Sequence, residues 1–470
     1  MLENIDLFRE NPEVIRESMR RRFARVEVVD EIIKLDKEWR QGKYELDGIR
    51  RDFNKLNKEV AKLKISGAEA TEQIEQIEII KQSWTEKEAM VLEISTALQA
   101  KLATVANLVH DSVQISNNEA NNLEVEVCGK KRVPTPGQKL YNHVDLCELL
   151  GGVDTKSGAK IAGSRGFFLK GFIARLKRAV ICYSLDFLEG RGYEEVHPPF
   201  LMRKDVMAKC AQLSQFDDEL YKVTGDGEDK YLIATSEQPL CAIHQDEWIH
   251  PTDLPIRYAG YSTCFRKEAG SHGRDRAGIF RVHEFDKVEQ FCITSPDESW
   301  AMLEEMLNNS NFFYKSFKIP YRVVSIVSGA LNDAAAKKYD LEGWFPASGT
   351  YRELVSCSNC TEYQAQRLGI RYGHKKSNEE KKQYVHTLNS TLTAIERTIC
   401  CILENYQRED GVEIPEVLRP YMKGQKFQHF KGKPLAAKMP KTKWWTLFCC
   451  TLFVLVVLGL FVFFVLYQMQ

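Results

Sequence analysis

Between Thr263 and Phe291 the chain reads TCFRKEAGSHGRDRAGIFRVHEFDKVEQF. Arg266, Arg274, Arg276 and Arg281 gather guanidinium groups there, and these planar, permanently charged forks grip phosphate well. Glu268, Glu284, Asp286 and Glu289 set carboxylates among them. Gly270, Gly273 and Gly278 loosen the middle, so the spacing predicts two strands joined by a mobile loop; a plain salt-bridged hairpin is the simpler alternative. His272 and His283 are tempting general bases by type, but structural contacts are the better account of them. Cys357 and Cys360 form a lone C-x-x-C without a second pair. Packing accounts for them better than a metal, and no structural zinc is expected.

Such a site needs elements to hold it. From Ile32 the apolar positions step by threes and fours through Leu35, Trp39, Leu46, Ile49, Phe53, Leu56, Val60 and Leu63, with a gap near Gly42. A second series runs Ile77, Ile80, Trp84, Val91, Ile94, Leu98, Leu102, and Ser66–Gly67 supplies the turn between them. Two narrow seams joined by one turn predict an antiparallel coiled-coil hairpin, about 50 Å long, within residues 1–115. Lys55, Lys58, Lys62 and Lys64 near its tip are available for phosphates, or are simply a solvated face.

Residues 116–139 lose periodicity and carry Pro134, Pro136 and Gly137, which reads as a linker. Over residues 140–420, β-rich runs such as YLIAT, GIFRVHEF, VEQFCI and YRVVSIV lie close together between helical stretches. That pattern predicts an α+β domain with a mostly antiparallel sheet and flanking helices. Residues 421–443 are Lys-rich without apolar periodicity and read as a disordered linker.

The 470 residues hold 65 Lys+Arg against 65 Asp+Glu and are 44% hydrophobic and 28% charged. This excludes a disordered chain and allows roughly two to three domains. Zero net charge means that any nucleic-acid contact comes from local patches. Thirteen cysteines, odd in number and without an N-terminal apolar segment, suit reduced cytosolic thiols. From Leu447 to Leu466 twenty residues carry no charge, with Trp444, Trp445 and Tyr467 at the borders. A helix of that length spans about 30 Å, so residues 444–467 predict a single transmembrane tail anchor. The uncharged Gln468–Gln470 end favours the cytosolic face of the endoplasmic reticulum. Cys449 and Cys450 are candidates for acylation without requiring it.

FRKEAGSHGRD followed by GIFRVHEFDKVEQF resembles the second signature motif of class II aminoacyl-tRNA synthetases, in the form of seryl-tRNA synthetases. GYEEVHPPFL (192–201), YLIATSEQPL (231–240), ELVSCSNCTEYQAQR (353–367) and VHTLNSTLTAIERTICCILENYQ (385–407) agree with it in order. The resemblance runs from Met1 to about Pro420 and is closest to the eukaryotic cytosolic type. It implies a ligase that activates L-serine with ATP and Mg2+ and transfers it to tRNA(Ser), whose long variable arm the hairpin holds. It also implies a homodimer, through the segment that contains Pro198 and Pro199.

Residue by residue, the resemblance places Arg266 on the α-phosphate, Phe285 against adenine, Glu268 at the base edge and Arg397 on the γ-phosphate. Lys267, Val282, His283, Glu284, Leu354 and Val355 complete the implied ATP site, and Glu353 and Ser356 bind magnesium. Arg266, Glu353 and Arg397 form the catalytic set. Thr235, Ser236, Glu237, Glu289, Asn389 and Thr391 form the serine pocket. Adenylation needs no protein nucleophile, so catalysis here is positional and electrostatic.

Two positions depart from the family. The loop reads GRDRAG (273–278) where GRDTRG is usual, which bears on transfer more than on activation. Glu284 replaces the common Gln and adds negative charge near the ATP site. The alternative reading is a catalytically impaired relative acting as a membrane-anchored tRNA-binding module. A tail-anchored fusion-type tether is disfavoured, because about 340 residues separate coil from tail.

Overall fold

In the computed structural model, which describes residues 5–134, 140–211, 219–225, 227–269, 277–374 and 383–431, the two apolar seams fold into α1 (Glu27–Ile65) and α2 (Thr71–Leu102). The gap in the first seam has a steric cause: a Cβ on Gly42 would lie 3.0 Å from Val91 Cγ2, so glycine lets the helices close. Gly67 takes φ +72° in the turn. Phe53 meets Trp84 edge-on at 5.2 Å, Arg50 pairs with Glu88 at 2.8 Å, and Lys87 pairs with Glu45.

The hairpin is fixed to the body at its base. Arg22 is buried and donates to four backbone carbonyls, those of Asn107, Leu331, Asn332 and Ala335. Asn107 Nδ2 donates to the carbonyls of Ala334 and Cys360, both at 2.8 Å. Residues up to about 115 therefore belong as much to the body as to the arm.

The body is built on an eight-stranded sheet: β1 (Leu123–Cys128), β2 (Glu194–Val196), β3 (Ile256–Phe265), β4 (Glu284–Thr294), β5 (Tyr321–Ser325), β6 (Lys337–Phe345), β7 (Thr350–Asn359) and β8 (His386–Ala394). Their spatial order is β1-β5-β6-β7-β8-β4-β3-β2, antiparallel throughout except for the β2–β3 edge pair. Helices α3 (Gly171–Glu189), α4 (Ser299–Ser316) and α5 (Ile395–Tyr406) pack on one face of it. Strand alternation sends Asp286, Val288 and Gln290 of β4 toward those helices, where Gln290 bonds Met306 O and Ser310 Oγ of α4. Phe285, Lys287, Glu289 and Phe291 point to the opposite face.

Three expectations change. The stretch 116–139 contains β1, whose Leu123, Val125 and Val127 are exposed, so an edge strand reads as a linker. The run GIFRVHEF becomes strand only from Glu284 onward. The stretch 421–443 is not disordered at its start, since Phe427–His429 pairs with Gly411–Glu413 and Lys431 N donates to Leu149 O at 2.8 Å. The predicted transmembrane segment 444–467 lies outside the described residues, among which no helix is long and apolar enough to cross a membrane.

Candidate active site

Glu289, in the middle of β4, is fully buried and saturated with donors. Thr235 Oγ1, Ser236 Oγ at 2.7 Å and the Glu237 amide at 3.0 Å all donate to its Oε2. Asn389 Nδ2 donates to Oε1 at 3.1 Å, and Lys287 Nζ lies 2.6 Å from the same oxygen. Burial alone would raise this carboxyl, but Lys287 and the hydroxyl donors outweigh it and hold the group down at about 2. Glu237 goes the other way: burial and the neighbouring Glu289 raise it, and Gln364 Nε2 steadies it at 2.8 Å.

Asn389 Oδ1 is buried without a hydrogen-bond partner among the described residues. An unpaired buried acceptor beside an anionic cluster is suited to a small ligand that carries its own donors. Thr391, opposite Glu289 in register, closes the same corner and also lines the adjoining cavity.

That cavity, of about 280 Å³, is lined by Arg266, Glu268, Val282, Phe285, Lys287, Glu353, Leu354, Glu396 and Arg397, among others. Arg266 directly follows β3 and is held by its own backbone, which pairs with His283 O at 2.9 Å, and by Nε donating to Ala234 O at 3.3 Å. Its guanidinium lies 5.6 Å from the Phe285 ring centroid. Arg397, in the first turn of α5, reaches Glu353 O at 3.3 Å and Glu353 Oε2 at 3.4 Å and stacks over Phe280. Partial burial works against the charge on Glu353, whose side chain stays 49% exposed, yet Arg397, with Lys338, Arg266 and Lys287, keeps it below its ordinary range. One cavity thus brings Arg266, Lys287 and Arg397 together with the Phe285 ring and the carboxylates of Glu268, Glu353 and Glu396. Such a cavity suits a polyphosphate attached to a flat ring.

The remaining predicted residues are placed as follows. Glu268 lines the cavity at φ +52°, with Arg281 at 3.0 Å. His283 Nδ1 meets Arg266 O at 3.0 Å, so this ring braces the backbone beside Arg266. Glu284 is exposed and alternates away from Phe285, which turns its charge from the cavity. Lys267 N bonds Glu219 O, and Val355 is buried in the main core. Gly270 to Arg276 lie outside the described residues, and with them His272, Arg274 and most of the departing loop; Ala277 and Gly278 are described. Cys357 and Cys360 are buried free thiols, and burial pushes Cys357 up to about 12 and Cys360 well up, which disfavours thiolates. Lys55, Lys58, Lys62 and Lys64 are all exposed on α1.

Lys287 and Gln364 escaped the sequence reading. Lys287 was legible in principle, two residues before Glu289 on an alternating strand; Gln364 reaches Glu237 only through tertiary packing.

The donor set fits a hard cation. Ser356 faces Asp340 in register, and Asp340 Oδ1 is buried without a hydrogen-bond partner among the described residues. Burial raises the Asp340 carboxyl although Lys338 opposes it. Glu353 and Ser356 offer oxygen ligands beside it, and substrate phosphates would complete the shell that magnesium prefers.

Residues 221–406 match the family described as the tRNA synthetase class II core domain (G, H, P, S and T), and residues 1–109 match the seryl-tRNA synthetase N-terminal domain. The cytoplasmic serine–tRNA ligase of Arabidopsis thaliana is 69% identical over 440 residues, which cover 92% of this chain and 98% of that one. The crystal structure of the cytoplasmic serine–tRNA ligase of Naegleria fowleri with AMP superposes at a TM-score of 0.81 with 48% identity, over 92% of this chain and 100% of that one. The seryl-tRNA synthetase of Pyrococcus horikoshii with ATP gives 0.82 and 40%, over 91% and 100%. The expected placement on an endoplasmic-reticulum membrane is thereby corrected: relatives that match nine-tenths of the chain are named cytoplasmic, and no helix among the described residues is long and apolar enough to cross a bilayer.

Proposed function

The chain belongs to the seryl-tRNA synthetase family and is an ATP-dependent serine–tRNA ligase; on that premise we propose how its own residues divide the work. L-Serine docks on the Glu289 cluster, its ammonium and hydroxyl meeting Thr235, Ser236, Glu237, Glu289, Asn389 and Thr391. ATP lies in the adjoining cavity, with adenine against Phe285, Glu268 at the base edge and Arg397 on the terminal phosphate. Arg266 holds the α-phosphate and stabilises the charge that builds there as the serine carboxylate oxygen attacks phosphorus and pyrophosphate leaves. Holding both reactants in line supplies much of the rate, since the protein offers no nucleophile of its own. Magnesium bound at Glu353 and Ser356 would neutralise phosphate charge. The seryl group then passes from this adenylate to a terminal ribose hydroxyl of tRNA(Ser), with AMP as the leaving group, and the variable arm of the tRNA rests along the α1–α2 hairpin. We place two copies of the chain in the working enzyme.

The observation that carries this reading is the Asn389 Oδ1 acceptor, left unpaired beside a donor-saturated Glu289 and one residue layer from the Arg266–Arg397 cavity. Serine supplies the missing donors. The impaired-relative alternative is not favoured, because Arg266, Glu289, Glu353 and Arg397 all stand at the site. The test is ATP–pyrophosphate exchange by the full chain: exchange that requires serine is expected, and its absence with ATP, magnesium and serine present overturns the proposal.

A further inference from the structure

Beside the ATP cavity, which Glu396 also lines, three charged side chains from three elements converge on the helix-covered face of the sheet. Lys177 Nζ, from α3, lies 2.9 Å from Asp286 Oδ2 on β4 and 3.1 Å from Glu396 Oε1 at the start of α5. The carboxylate side chains are almost fully buried, at 6% and 2% exposed. Asp286 also accepts from Thr263 Oγ1 at 2.8 Å and Tyr261 OH at 3.2 Å, and its amide donates to Glu396 Oε2 at 2.9 Å. Burial pushes the Glu396 carboxyl up and Lys177 pulls it back, so the cation is what allows two carboxylates to share this spot.

The chain positions of these two acids matter more than their energy. Asp286 directly follows Phe285, and Glu396 directly precedes Arg397. Phe285 and Arg397 both line the cavity and are carried by different elements. A cation bonded to both neighbours fixes the spacing between them, while Lys177 itself does not line the cavity.

We propose that Lys177 is a positioning residue for ATP, its ammonium tying β4 to the first turn of α5 so that Phe285 and Arg397 stand at the spacing a bound nucleotide requires. The inference rests on the reading of that cavity as the ATP site. The serine cluster hangs on the opposite face of β4 through Glu289 and does not share this tie.

The test is exchange kinetics of full-length K177Q and K177R, with ATP and serine varied separately. For K177Q the KM for ATP rises about tenfold or more while the KM for serine stays within about twofold, and K177R keeps the KM for ATP near that of the unaltered chain. Where K177Q is unstable at assay temperature, ATP binding is titrated at a temperature at which its circular dichroism matches that of the unaltered chain, and the same weakening is expected. An unchanged ATP constant in K177Q, a parallel rise for both substrates, or an equal loss in K177R overturns the positioning role. Exchange by the unaltered chain separates the two claims: without it both fall, and with it only the lysine is in question.

Discussion

The Lys287 ammonium lies 2.6 Å from Oε1 of Glu289, while Oε2 of the same carboxylate takes donors from Thr235, Ser236 and the Glu237 amide. Lys287 also lines the cavity proposed for ATP. The pair therefore stands on the border between the two proposed substrate sites, cation toward the phosphates and anion toward the amino acid. The serine carboxylate must cross that border to reach the α-phosphate, and an ammonium there lowers the repulsion between the two anions.

Lys287→Met should lower serine-dependent exchange by roughly a hundredfold or more, the usual loss when one group that offsets charge in the transition state is removed. Exchange rates with a parallel thermal melt check this. A variant that melts normally and exchanges at the usual rate would remove Lys287 from the site.

Glu289 carries an acid signature. Its carboxyl stands at about 2 in the fold against an ordinary 4.5. A depressed carboxyl binds its proton less readily folded than unfolded, so its contribution to stability is complete above about pH 4.5 and is lost as pH falls toward 2. The shift corresponds to roughly 3 kcal/mol in full. Urea unfolding at about pH 5 and about pH 3 should therefore show an acid loss that is smaller in Glu289→Gln by about 2 kcal/mol. Equal losses in both proteins would contradict the depressed carboxyl.

Asn389→Ala removes the unpaired acceptor and one donor to Glu289. The KM for serine should rise about tenfold, one hydrogen bond's worth, with the KM for ATP unchanged. Discrimination against alanine should narrow in step, since a pocket that no longer satisfies a hydroxyl has less reason to demand one. A shift in the ATP constant instead would place Asn389 elsewhere in the chemistry.

What the sequence revealed follows the reach of its signals. The hairpin was legible because a period of three and four over two long runs admits few other structures, and even its gap at Gly42 marked a real close approach to Val91. Glu289, Arg266 and Arg397 stand out in sequence only through the family resemblance of the segments that hold them, and the fold brings these segments to one region. Gln364 was not legible: it meets Glu237 only because the segment after β7 folds back over the helix that begins at Glu237. β1 was misread because an edge strand buries little on its outer face, so Leu123, Val125 and Val127 look no different from linker residues. The short Phe427–His429 strand fell below any periodic signal, as two or three residues cannot display one.

The hairpin and the cavity should also separate in function. Lys55, Lys58, Lys62 and Lys64 are exposed on α1, far along the sequence from every residue proposed to touch ATP or serine. Replacing all four by alanine should leave exchange unchanged, because adenylation needs only the cavity. Aminoacylation should instead show a raised KM for tRNA, and the dependence of that KM on salt should flatten by about one unit of log–log slope for each phosphate that the arm no longer neutralises. The arm's own stability offers little cover for a false result, since its exposed faces are laced by pairs such as Arg50–Glu88 that do not involve these lysines. If tRNA kinetics and salt slope stay as they were, the tRNA rests on some other face, and the basic tip of the hairpin is only a solvated surface.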